Sequence, residues 1–88
     1  MYYVYVLISL RDGQLYTGCT NDLKKRLNSH NSGQVSSTKN RVPFKLIYYE
    51  AYLNKHDAFL REQWLKTGYG RRHINKTLKN YLSLQDKN

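Results

Sequence analysis

The chain has 88 residues, enough for one domain and too few for a second. Fifteen Lys and Arg against six Asp and Glu leave a formal charge of +9, and 40% hydrophobic residues with nine tyrosines describe a small packed domain rather than a disordered basic tail. The single cysteine, Cys19, excludes a disulfide framework and a paired-cysteine zinc site, and no apolar run is long enough to span a membrane. With no export signal at the start, the cytoplasm is the expected compartment. Nucleic acid, ahead of an anionic membrane, is the expected partner of the charge.

Tyr2 to Ser9 (YYVYVLIS) is β-branched and aromatic and predicts a strand. Asp12-Gly13 predicts a tight hairpin turn, with a return strand over Leu15 to Gly18. A turn centred on that pair sets Ser9 opposite Tyr16 and Leu7 opposite Gly18. Period-two alternation places Tyr3, Tyr5, Leu7 and Tyr16 on one face and Val4, Val6 and Ile8 on the other, so both faces are expected to be covered.

Thr20-Asn21-Asp22 supplies N-cap residues for a helix that stops before Gly33. Leu23, Arg26, Leu27 and His30 fall on one stripe of it, which puts a guanidinium and an imidazole on the face due for burial. Gln34 to Arg41 is small, polar and basic and predicts an exposed loop. Phe44 to Leu53 predicts a third strand, entered through Pro43. Asn54 caps a second helix over Lys55 to Thr67, with Asp57 at the capping-box position. Gly68 and Gly70 bracket a break, and a third helix runs from about Arg71 to Leu82. The expected domain is 1–82, with a charged tail at 83–88. The fold class is α+β in layers: a small three-stranded, mostly antiparallel sheet flanked by helices, in the order β-β-α-β-α-α.

The sequence holds no HExxH, no Walker A loop, no GxSxG and no His/Cys cluster at zinc spacing. With six carboxylates in all, a two-metal carboxylate site is hard to build. Glu62 lies on an otherwise apolar strip between Ala58 and Leu65, a costly place for a charge without a partner or a metal. The ordinary alternative is an i,i+4 ion pair with Lys66. Any single tyrosine is ordinarily a core or rim residue. Tyr5 and Tyr16 on one sheet face, beside a helix that offers Arg26 and His30 inward, form a less ordinary set. A buried Arg needs an anion, and a substrate phosphate would serve.

Tyr3-Val4-Tyr5, then Tyr16-Thr17-Gly18, then Arg26 ten residues on, then Glu62 in a later helix, together resemble the GIY-YIG nuclease family. The likeness covers essentially the whole chain. It implies a metal-dependent DNA endonuclease that hydrolyses one phosphodiester at a time, as in DNA repair or recombination. By that likeness Tyr5 and Tyr16 are the tyrosines of the two motifs, and Gly18 is the glycine whose missing Cβ permits a close approach. Arg26 is the helix arginine, His30 a residue often His or Tyr in the family, and Glu62 the ligand of one Mg²⁺ or Mn²⁺. Tyr3 replaces the first glycine, Thr17 replaces isoleucine, and Cys19 stands where some members carry lysine. Asn75, or else Asn80, is the nearest counterpart of a late asparagine.

In the implied mechanism Arg26 clamps the non-bridging oxygens, and Tyr5, with its pKa lowered by a cationic pocket, is the general base. Tyr16 orients the water or phosphate. His30 is the competing base, favoured by its near-neutral titration. Lys39 and Arg41 in the loop, and Arg71, Arg72, His73 and Lys76 in the third helix, either track phosphates or form a solvated basic face. The rival class is a nucleic-acid-binding module that keeps the fold without turnover; an RNA-directed enzyme is the third. A monomer is expected, with a targeting protein as a further partner.

Overall fold

The computed structural model describes residues 1–86. Three strands, β1 (Tyr2–Ser9), β2 (Leu15–Thr20) and β3 (Phe44–Tyr52), form one sheet in the order β2-β1-β3, with both pairings antiparallel. The helices are α1 (Leu23–Asn31), α2 (Lys55–Leu65), α3 (Gly68–Thr77) and α4 (Lys79–Asp86). The class agrees with the sequence expectation, the order matches apart from one more helix at the C-terminal end, and the sheet is wholly antiparallel.

The central strand β1 is buried without a break from Val4 to Ser9 and divides the core in two. On one face Tyr5, Leu7 and Phe44 pack with Tyr16, Leu23, Leu27 and Leu46, under α1. On the other, Val4 and Val6 pack with Ala58, Leu65 and Ile74 from α2 and α3. The aromatic and β-branched alternation thus becomes a three-layer sandwich. Strand β3 carries one extra residue: Val6 pairs with Tyr48 and Leu7 with Leu46, so Ile47 is a bulge. The bulge lets Ile47 and Tyr48 both pack toward the Val4–Val6 face.

The hairpin register differs from the expectation. Leu7 faces Tyr16 and Tyr5 faces Gly18, a displacement of two residues. The turn is a four-residue loop, Leu10 to Gly13, closed by Ser9 N donating to Gln14 O at 3.0 Å. Ser9 Oγ accepts from the backbone N–H groups of Arg11 and Asp12 at 3.2 and 3.1 Å. Gly13, at φ +73°, takes the left-handed position that ends the loop. A shift of two preserves which face each side chain takes, so Tyr5 and Tyr16 still share one.

Helix ends also moved. The side chains of Asp22 and Asn54 cap α1 and α2 as expected. Helix α2 ends at Leu65 rather than Thr67, and Thr67 caps α3, which begins at Gly68 rather than near Arg71. The break lies before the glycines, not between them. Gly70 sits inside the first turn of α3 because a Cβ there would stand 2.6 Å from the carbonyl carbon of Leu65. A second break at Leu78 starts α4, so the span expected as one helix is two, and the segment expected as a tail is helical through Asp86. Positions 87 and 88 of that tail lie outside the described residues.

Candidate active site

Helix α1 sets Arg26 and His30 one turn apart above the Tyr5 face. Tyr5, 2% exposed, places its hydroxyl 2.9 Å from His30 Nε2, and Arg26 Nε donates to the same oxygen at 3.4 Å. Behind His30, 0% exposed, Nδ1 lies 2.8 Å from Thr38 Oγ1, and that hydroxyl donates to Val35 O at 3.4 Å. One arrangement of protons uses every group. Arg26 donates to Tyr5, Tyr5 donates to His30 Nε2, His30 Nδ1–H donates to Thr38, and Thr38 donates to the backbone. The loop expected to be fully exposed therefore contributes a buried residue, Thr38.

Gly18 is explained by Tyr5. A Cβ at Gly18 would meet the phenol oxygen and lie 2.5 Å from Tyr5 Cζ, so the ring lies directly on the glycine backbone. The close approach that the family glycine implies is made to Tyr5 itself. Tyr16 packs its ring 5.0 Å from His30 and 6.4 Å from Tyr5, and so flanks both groups.

Burial raises the Tyr5 hydroxyl above its ordinary value, with Arg26's hydrogen bond opposing the rise. This reverses the lowered pKa expected of a cationic pocket. Desolvation disfavours the phenolate more than one guanidinium favours it, so the phenol is protonated at neutral pH. Burial, followed by the charge of Arg26, lowers His30, which is therefore a neutral imidazole able to accept at Nε2. Among the described residues Arg26 has no carboxylate within ion-pair distance. The guanidinium also interacts with the Tyr16 hydroxyl, and the N–H groups that neither tyrosine engages keep their capacity for an anion.

Glu62 projects from α2 with its side chain 13% exposed and bonds Lys66 Nζ at 3.0 Å. The ordinary ion pair is thus formed, and the carboxylate also lies close enough to disfavour the charged forms of Tyr5 and Cys19. Burial raises the Cys19 thiol, so it supplies no charge, but Lys55 brings a cation to the same neighbourhood. A single carboxylate whose protein partner is one half-exposed lysine suits a divalent ion that keeps most of its water, not an all-protein cage. Among the described residues no cluster of three or more metal-ligating side chains occurs.

Other sequence candidates divide. Arg41 is not free to track phosphate: it pairs with Asp12 at 2.8 Å and lies over Phe44, bracing the hairpin against β3. His73 is half-buried against Arg61 and Trp64. Arg61 in turn grips Glu50 with two bonds of 2.9 and 3.0 Å, while Tyr48 and Tyr52 donate to the same carboxylate. Burial alone would raise Glu50, but these hydrogen bonds hold it down at about 2. This cluster knits β3 to α2, and sequence periodicity carries no sign of it.

Lys39 and Lys76 are exposed. Arg72 stacks over Tyr69 at 5.0 Å, and Arg71 and Asn75 line a cleft between the hairpin and the C-terminal helices. Asn75 is not brought to the Tyr5–His30 chain, and Asn80 is an exposed residue of α4. Thr38 was missed because a threonine in a polar loop carries no periodic signal.

The chain is similar to known proteins in sequence and in fold. The UPF0213 protein CPE1444 of Clostridium perfringens is 46% identical over 67 residues, covering 75% of this chain and 71% of that protein. A UPF0213 protein of Lactococcus lactis subsp. cremoris is 43% identical over 82 residues, covering 92% and 83%. The solution NMR structure of the UPF0213 protein BH0048 from Bacillus halodurans matches with a TM-score of 0.53 at 32% identity, over 88% of this chain and 85% of that one. The family model described as "GIY-YIG catalytic domain" matches residues 1–77. A family model that covers most of the chain and relatives of more than 40% identity agree, and the chain belongs to the GIY-YIG family.

Proposed function

We propose that this chain is a metal-dependent endonuclease that hydrolyses one DNA phosphodiester at a time. Membership of a nuclease family supports the class, and the Arg26–Tyr5–His30–Thr38 chain carries the mechanism. Glu62 would hold one Mg²⁺ or Mn²⁺, which would supply charge neutralisation at the phosphate and at the leaving oxygen.

The residues do the rest. Arg26 turns its free N–H groups to the non-bridging oxygens and stabilises the charge that grows there. Tyr5 accepts a proton from the attacking water as it passes its own to His30 Nε2. The imidazole becomes the cation, and Thr38 stabilises it through Nδ1. Tyr5 and His30 are therefore one base rather than competitors, and neither needs a phenolate in the resting state. Tyr16 closes the pocket on the same side. Lys66 must leave Glu62 for the carboxylate to act as a ligand, and it is then available to a neighbouring phosphate.

A nicking assay on duplex, branched, flapped and single-stranded DNA with Mg²⁺, Mn²⁺ or EDTA tests the proposal. Glu62→Gln should keep DNA binding and abolish metal-dependent cutting. Equal nicking by wild type and variant rejects the one-carboxylate site, and binding without cutting on any substrate points to the non-catalytic module.

A further inference from the structure

Between the β1–β2 hairpin and helices α3 and α4 lies a cleft of about 730 Å³. Small-ligand sites span roughly 300–1,000 Å³. Its rim carries Gln14, Thr17, Lys66, Arg71 and Asn75, and it reaches Tyr16 at the β2 edge. Leu15 and Leu82 contribute apolar surface within it. Lys66 ties the cleft to the site above through its bond to Glu62, while the Tyr16 ring itself packs on Tyr5 and His30 on the opposite face of the sheet. Among the described residues, the side-chain amides of Gln14 and Asn75 and the guanidinium of Arg71 make no hydrogen bond or ion pair. A cleft joined to a phosphodiester site, with an apolar floor, two uncommitted amides and two cations, has the composition of a nucleotide pocket.

We propose that this cleft receives the nucleotide next to the scissile phosphate, and that Gln14 and Asn75 read its base. The inference rests on the nuclease reading above and extends it to a specificity-determining pair. A side-chain amide offers a donor and an acceptor side by side, which matches the N6 donor and N7 acceptor of adenine. Leu15 and Leu82 take the face of the base. Arg71, with Lys66 once it leaves Glu62, takes the flanking phosphates without regard to sequence. Adenine is accordingly the preferred neighbour of the cut.

The test uses the whole chain, labelled with ¹⁵N and titrated with the 5′-mononucleotides of adenine, guanine, cytosine and thymine, with inorganic phosphate as the control. The adenine nucleotide should shift the side-chain amide signals of Gln14 and Asn75 and bind at least about fivefold tighter than the others, the lower limit for one amide–base pair. Gln14→Ala and Asn75→Ala, both changes of exposed residues, should erase that ratio, whereas Arg71→Ala should weaken all four nucleotides alike. Equal affinities in the wild type, or phosphate binding as well as any nucleotide, overturn the inference.

Cleavage of oligonucleotides randomised around the cut supplies the second arm. Wild type should favour adenine by about 5- to 150-fold, and the two amide variants should lose the preference. Adenine selectivity without cleavage on any metal rejects the nuclease reading and leaves the base pocket standing. Cleavage without any base preference, with all nucleotides bound alike, does the reverse.

Discussion

Tyr5→Phe removes one oxygen from the centre of the site and leaves the ring on Gly18. That oxygen holds His30 Nε2 at 2.9 Å and receives Arg26 Nε at 3.4 Å. His30 is 0% exposed, so Nε2 loses its partner with no water to replace it. An orphaned buried acceptor costs about 1–3 kcal/mol. At roughly 4–8 °C per kcal/mol for a domain of this size, Tm should fall by about 4–24 °C, within a total stability of about 5–15 kcal/mol. The chemical step should fall by about 10²–10⁴, the scale of a lost general base. Melting followed by circular dichroism and single-turnover nicking well below the variant's Tm separate the two effects. His30→Gln keeps an acceptor for Tyr5 but cannot take a proton, so it should be as slow as Tyr5→Phe. The double variant should be no slower than either, because the pair acts as one unit. A wild-type cutting rate from Tyr5→Phe, with only Tm lowered, would refute the relay and leave the hydroxyl a core hydrogen bond.

Gly18→Ala should keep the fold and every catalytic group yet push the Tyr5 ring off its bonds, so its nicking rate should approach that of Tyr5→Phe; an unchanged rate would mean that the phenol position is not critical. Stability should depend on pH in two separate windows. The pKa of folded His30 lies below its ordinary 6.5, so the unfolded chain binds the extra proton first, and Tm should decline as pH drops below about 6.5, a decline that His30→Gln flattens. Glu50 is held at about 2 against an ordinary 4.5, so its stabilisation is present above 4.5 and is lost as pH falls toward 2; Glu50→Gln should remove that second decline. Replacing Arg71 and Arg72 with Ala should flatten the slope of log K against log salt on duplex DNA by up to about two units. Undiminished affinity in a filter-binding titration would move the DNA path away from α3.

The class of the fold and most of the site could be read from local pattern. Alternation assigns Tyr5 and Tyr16 to one face whatever the exact register, because the observed slip of two residues preserves parity. Helical period alone places Arg26 and His30 together on α1, and the cap residues Asp22 and Asn54 start their helices as expected. What the tertiary structure decided is which of these groups touch and how dry they are. Tyr5 meets His30 from 25 positions away in the sequence, and Thr38 comes from a loop with no periodic signal. The pairing of Glu50 with Arg61 joins a strand to a helix, and nothing in either segment names the other. Desolvation depends on the whole surrounding fold. It raises the Tyr5 hydroxyl where residue types alone argued for lowering it, and it keeps His30 neutral behind that hydroxyl. Local sequence therefore determined the candidates and their faces, while packing determined their contacts and their protonation, because burial and hydrogen bonding between distant segments set a pKa and neither is a property of sequence spacing.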